Sequence, residues 1–299
     1  MTISVHTDTT DSRVIAMTIV AMIAFAGNSL LCRAALAHTS IDPASFTSIR
    51  LVSGALVLWL VFLFKTKQLN TPMKLDGDWW SAICLFIYAA AFSFTYLKLT
   101  TATGALLLFG SVQLTMLGHG LARGERLRAI QFIGLLSAFS GLLILLLPGV
   151  ESPPIDGAVL MVLSGFAWGI YSIQGRNAIN PIAASMGNFT RSIIPTICLS
   201  IFFISRVALD IEGILLAIAS GALASGFGYL VWYAVLPKLA SMTAASVQLS
   251  VPIIAGLGGV IFVGELISLR LLVCSVAVLG GIAVIILFGR GSSAPSTAK

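Results

Sequence analysis

Apolar positions follow one another along this chain in long stretches, and polar and charged positions collect in the short gaps between them. Ten stretches can be marked, at residues 14–34, 43–64, 79–97, 101–122, 129–147, 155–175, 183–204, 211–236, 241–263 and 267–288. Each holds roughly the 20 residues a helix needs to cross about 30 Å of hydrocarbon. The pattern predicts an all-α membrane protein with ten transmembrane helices. Arg13 ahead of the first stretch, and the small residues Ala35 and Ala37 behind it, imitate a signal peptide. That stretch is long for a cleaved segment and nine more follow, so it is read as a retained helix. Composition agrees. Of 299 residues, 58% are hydrophobic and 9% charged, against about 25% charged in a soluble domain. Very little chain remains for a separate soluble catalytic domain.

Charge adds orientation. The gaps are short, so their Lys and Arg residues count. With the N-terminus inside, the inner side carries Arg13, Lys65, Lys67, Lys74, Arg123, Arg126, Arg128, Arg176, Lys238, Arg290 and Lys299; the outer side carries Lys98, Arg206 and Arg270. Eleven against three predicts a multi-pass protein of the cell inner membrane with both termini cytoplasmic. Trp79 and Trp80, after Asp78, fit an aromatic anchor at the inner interface. The net charge of +6 forms no basic face, so no nucleic-acid partner is expected. The expected partners are the lipid bilayer and a small-molecule substrate; monomer and dimer stay open. Cys32, Cys84, Cys198 and Cys274 lie in or beside apolar runs and read as small hydrophobes. His6, His38 and His119 are too scattered for a metal site. No phosphate-binding Gly-x-x-x-x-Gly-Lys occurs, and no cofactor is expected.

The chain aligns with itself at an offset of 140 residues. Gly124 and Glu125 fall on Gly264 and Glu265, Gly141 on Gly281, and Lys98 on Lys238. Two halves, 1–150 and 151–299, then carry five spans each. Because five is odd, the second half enters the membrane the other way up, which gives two inverted-topology repeats. Such repeats build many secondary transporters, with one site between the halves exposed alternately to each side.

Four segments carry a family resemblance: AFAGNSLLCRAAL in the first span, FTSIRLVSGAL in the second, Gly-Glu-Arg-Leu at 124–127, and its echo Gly-Glu-Leu-Ile at 264–267. In these the chain resembles the EamA-type ten-helix exporters of the drug/metabolite transporter superfamily, over residues 14–289. One departure is plain. Where that family usually has a tryptophan in its first span, this chain has Ala26, Gly27, Asn28 and Ser29, and only the second half keeps one, Trp168. The resemblance implies outward transport of small metabolites, commonly amino acids such as threonine and the aromatics.

Helix phase and depth select the candidate site. Tyr88, Phe92 and Tyr96 recur every four residues on one face of the third span. Ser164, Trp168 and Tyr171 share a face of the sixth, and the offset of 140 lays Asn28 on Trp168. The substrate-binding candidates are Asn28, Tyr88, Trp168, Tyr171, Gln248, Arg50 and Arg191. Tyr88 and Trp168 would stack on substrate, and Asn28 and Gln248 would orient it. Arg50 and Arg191, deep in counterpart spans, would take a carboxylate or else snorkel to an interface. Interfacial belts, ordinary packing and helix-to-helix hydrogen bonds are the competing structural readings of these residues. Pro252 would kink the ninth span. All eleven acidic residues lie in termini, gaps or span ends, so no carboxylate is available at the membrane centre to relay protons or cage a cation. The expected cargo is a zwitterionic amino acid or similar small metabolite. A broad drug exporter is the nearest rival, with a passive channel and a membrane enzyme behind it.

Overall fold

The computed structural model describes residues 12–69, 76–124, 127–147, 152–175, 178, 180–239, 244 and 247–288. Ten main helices run through them: α1 (Ser12–His38), α2 (Pro43–Leu69), α3 (Trp79–Tyr96), α4 (Thr101–Ala122), α5 (Ala129–Leu146), α6 (Ile155–Gly175), α7 (Pro181–Phe202), α8 (Ile211–Val235), α9 (Ser250–Val263) and α10 (Leu269–Leu287). Eight of the ten are long and apolar enough to cross a membrane. The chain is therefore an all-α, multi-pass integral membrane protein.

The other two differ from the expected pattern for separate reasons. α7 is long enough, but it buries Ser185, Asn188, Ser192 and Thr196, so polar side chains on its inward face dilute its hydropathy. α9 is short. Residues 241–243, 245 and 246 of the ninth stretch lie outside the described residues, and the helix is interrupted at Leu249. Pro252 lacks the N–H that would bond the Gln248 carbonyl, which accounts for a break at this point. Lys74, Glu125, Arg126, Arg176, Arg290 and Lys299 also lie outside the described residues.

Local chemistry sets the helix ends. Asp78, Asn180, Asp210 and Ser268 accept a backbone N–H from the first turn of α3, α7, α8 and α10 in turn, and Pro181 starts α7 where no N–H is needed. Gly124 and Gly264 both take a left-handed backbone, φ +90° and +71°. These two glycines stand at matching repeat positions, just past the ends of α4 and α9. A side chain there would be strained, which is why the Gly-Glu turn recurs.

The connections gather at two ends of the bundle. At one, Asp42 accepts the Ala208 N–H, Lys98 pairs with Asp156, and Arg270 donates to the carbonyls of Ile144 and Leu147 at the end of α5. At the other, Ser81 of α3 donates to Gln174 of α6, Asp78 N–H to Asn188, and Gln131 at the start of α5 to the Ile285 carbonyl.

Helices α5 and α10 pack closely through small residues. A Cβ on Gly134 would stand 2.6 Å from the Gly281 carbonyl oxygen, and one on Gly141 would stand 3.1 Å from that of Cys274. Ser137 Oγ donates to the Ala277 carbonyl at 3.0 Å. Under the 140-residue offset, 134 matches 274, 137 matches 277 and 141 matches 281. Exchanging the halves therefore turns each contact into its partner, as at an isologous interface. The wider packing behaves alike: α3 lies on α6 as α8 lies on α1, and α4 on α6 as α9 on α1.

Candidate functional site

Helices α1, α3, α6 and α8 bring their aromatic faces together inside the bundle. The Trp168 ring lies 4.8 Å from Tyr88, 5.0 Å from Tyr229 and 5.4 Å from Tyr171, between centroids, in tilted stacks. Phe25 meets Trp168 and Tyr229 edge-on, and Phe92 bridges Tyr88 to Tyr96. This is the offset and edge-to-face geometry that ring quadrupoles favour. Phe25, Asn28, Ser29, Tyr88, Phe92, Trp168 and Tyr229 are among the residues that wall a cavity here of about 10 Å³. That is room for about one water. In this conformation the site is closed, and any metabolite requires the helices to part.

A polar chain runs through the aromatic walls. Asn28 Nδ2 donates to the Tyr88 hydroxyl at 3.0 Å, and Arg50 Nη2 donates to the same oxygen at 2.9 Å. Ser220 Oγ donates to Asn28 Oδ1 at 2.7 Å, and Arg50 Nε reaches Ser225 Oγ at 3.4 Å. Both serines belong to a π-helical segment of α8, Ser220–Phe227. Widening the turn there brings side chains five apart onto one face, a device that recurs at functional sites. Gly221 lets α8 approach α2 this closely, since a Cβ would fall 2.1 Å from the Arg50 carbonyl oxygen.

Arg50 is 1% exposed. Its guanidinium carbon lies 5.0 Å from the Tyr88 ring centroid and 4.8 Å from that of Phe92, within cation–π range. No carboxylate faces it among the described ion pairs, which are Arg33 with Glu265 and Lys98 with Asp156. Three buried polar atoms here have no hydrogen-bond partner: Arg50 Nη1, Ser29 Oγ and the Tyr229 hydroxyl.

Of the seven residues selected from the sequence, the fold brings Asn28, Arg50, Tyr88, Trp168 and Tyr171 into this cluster. Two stand elsewhere. Gln248 is half-buried and bonds back to the Ala244 carbonyl in its own turn. Arg191 donates to the Asp76 carbonyl at 2.9 Å and holds the segment before α3 against α7. Ser220, Ser225 and Tyr229, which are not among those seven, complete the cluster. Their signal is hydroxyls spaced five and four apart along a glycine-rich helix, a period that a regular α-helical reading splits over two faces.

One end of the cavity is tied shut. Arg33 Nε pairs with Glu265 Oε1 at 2.9 Å, Arg33 Nη1 donates to the Tyr96 carbonyl, and Glu265 Oε2 accepts the Thr101 N–H at 2.8 Å. Glu265 thus joins the start of α4 to the end of α1. Among the described residues no group of three His, Cys, Asp or Glu is placed to hold a metal ion.

The EamA-like transporter family matches the chain twice, over residues 12–147 and 155–287. An uncharacterised protein of Pseudomonas aeruginosa is 52% identical over 92% of this chain and 95% of its own. An uncharacterised transporter of Archaeoglobus fulgidus is 26% identical over 78% and 83%. The uncharacterised transporter YoaV of Bacillus subtilis is 21% identical over 81% and 86%. A protein of known crystal structure, 20% identical, shares the fold with a TM-score of 0.67 over 93% of this chain and 99% of that one.

Proposed function

The chain belongs to the EamA-like transporter family, a transporter rather than an enzyme family, and from that membership we propose a secondary carrier that exports amino acids, aromatic ones and threonine first, or similar small metabolites. It works by alternating access between two inverted five-helix halves that divide near residue 150, as ten spans with both termini on the cytoplasmic side of the inner membrane. The double match of the family and the exchange symmetry of the α5–α10 contact support the repeat. The observation that carries the substrate reading is the closed aromatic cavity, whose walls come from both halves: Phe25, Asn28, Tyr88 and Phe92 from one, Trp168 and Tyr229 from the other.

In this reading Tyr88 and Trp168 sandwich an apolar side chain, Tyr171 extends the stack, and Asn28 orients the polar end. Arg50 meets the carboxylate. The apolar walls also suit a broad drug exporter, but a permanently charged guanidinium beside the cavity disfavours the aromatic cations such exporters take.

A counterflow screen of amino acids, nucleosides, sugars and dyes on purified protein in proteoliposomes tests the reading. Saturable counterflow of phenylalanine, tryptophan or threonine is expected. Trp168→Ala and Tyr88→Ala, at matched protein amounts, should each lower it by about tenfold or more, the loss of one good stacking contact. Wild-type flux and preference in both variants, or counterflow of dyes alone, contradicts it.

A further inference from the structure

We propose that this site selects its substrate by a carboxylate and needs no ammonium group, so that aromatic and short aliphatic carboxylic acids bind at least as well as the corresponding amino acids. The inference rests on the aromatic cavity being the substrate site, and it carries further than the amino-acid reading does.

The polar atoms around the cavity are unequally supplied. The one charged group is a donor only, the Arg50 guanidinium, while the hydroxyls beside it can donate or accept. Arg50 Nη1, Ser29 Oγ and the Tyr229 hydroxyl are all buried and all without partners. Ser29 and Tyr229 line the cavity itself, and Arg50 lies against Tyr88 and Phe92, two of its walls. A guanidinium with five N–H groups and no acceptor capacity, 1% exposed and facing no carboxylate, is costly to hold in a low-dielectric interior. Ring faces and two hydroxyls compensate it only in part. An entering carboxylate would supply acceptors for the cavity-lining hydroxyls of Ser29 and Tyr229, and, as the helices part, the negative charge that Arg50 lacks behind the Tyr88 and Phe92 rings.

No negative charge awaits an ammonium, which would find only hydroxyl oxygens here. The acceptor of Asn28 is taken by Ser220. The described acidic side chains that pair with cations, Glu265 and Asp156, lie at the end of the bundle and are committed to Arg33 and Lys98. The rings of Tyr88 and Phe92, which would otherwise attract a cation, already carry the Arg50 charge. A second positive charge brought beside the first in this medium is repelled. The ammonium of an amino acid is therefore tolerated at best, and an amine without a carboxylate is excluded.

Ligand-induced thermal stabilisation of the purified carrier tests this with two matched triplets: 3-phenylpropionate, phenylalanine and phenethylamine, then butyrate, threonine and butylamine. In each, the acid should bind at least as tightly as the amino acid, and the amine should give no shift at a hundred times that concentration. Ser29→Ala and Tyr229→Phe remove atoms that bond nothing in the closed protein, so the fold is kept. Each should weaken acid binding about tenfold, the worth of one hydrogen bond to a charged group. An amino acid binding tenfold more tightly than its acid overturns the proposal, as does an amine that competes or an acid that fails to bind. Counterflow separates the two ideas. Phenylalanine transported while the acids do not bind leaves the export reading and removes this one; acids bound with no amino-acid counterflow does the reverse.

Discussion

Tyr88 holds two donors at once, the amide of Asn28 and the guanidinium of Arg50. Tyr88→Phe keeps the ring and its stacking on Trp168 while leaving both donors buried and unpaired, at about 1–3 kcal/mol each. It should lower the unfolding free energy in mixed micelles by about 2–4 kcal/mol, whereas Tyr96→Phe, whose hydroxyl reaches the Thr101 carbonyl only at 3.5 Å, should cost less than about 1 kcal/mol. Equal losses in the two variants would remove Tyr88 from the centre of the network. Depth and helix phase pick out Tyr88, Trp168, Asn28 and Arg50 in the sequence, and the fold brings these four together. They misplace Gln248 and Arg191 because depth along a helix says nothing about rotation or reach. Arg191 finds a backbone carbonyl at Asp76, and Gln248 satisfies itself within its own turn.

Among the helices, α5 and α10 approach closely, and the approach depends on which glycines face the seam. A Cβ on Gly281 would fall 2.4 Å from the Gly134 carbonyl oxygen and 2.7 Å from the Ala138 nitrogen, both backbone atoms; one on Gly280 meets nothing within 4 Å. Gly281→Ala should therefore destabilise by about 1–3 kcal/mol, and Gly280→Ala should be neutral or stabilise by up to about 1 kcal/mol. The difference between neighbouring residues is the check, read as opposite shifts in unfolding midpoint. Helix positions were legible from hydropathy, whereas the caps that set the ends, Asp78, Asn180, Asp210 and Ser268, are supplied by the structure. The π-helical stretch of α8 was not legible, since an extra residue in a turn leaves the local composition unchanged; that stretch packs on α2, with Gly221 against the Arg50 backbone.

At the scale of the whole molecule, a charge pair closes one end. Glu265 ties α1, α4 and the α9–α10 turn at one end through Arg33 and the Thr101 N–H. The repeat offset places Ile173 opposite Arg33, so the matching position in the second half has no cation. Glu265→Gln keeps an acceptor for Thr101 but removes the charge pair, and should raise labelling of a Ser29→Cys variant by an impermeant maleimide from outside about tenfold, equivalent to about 1.4 kcal/mol. An unchanged labelling rate would make Arg33–Glu265 a passive cap. The proposed inverted arrangement starts from a weak self-alignment in the sequence, and the α5–α10 contacts are consistent with it, since exchanging residues across the 140-residue offset preserves them. The most direct measurement of that arrangement uses Lys98 and Lys238, matched across the repeat. In intact cells, single cysteines placed at each position are reacted with the same impermeant maleimide. The account predicts labelling at 98 from outside and at 238 only after the inner face is exposed; labelling of both from one side would contradict it.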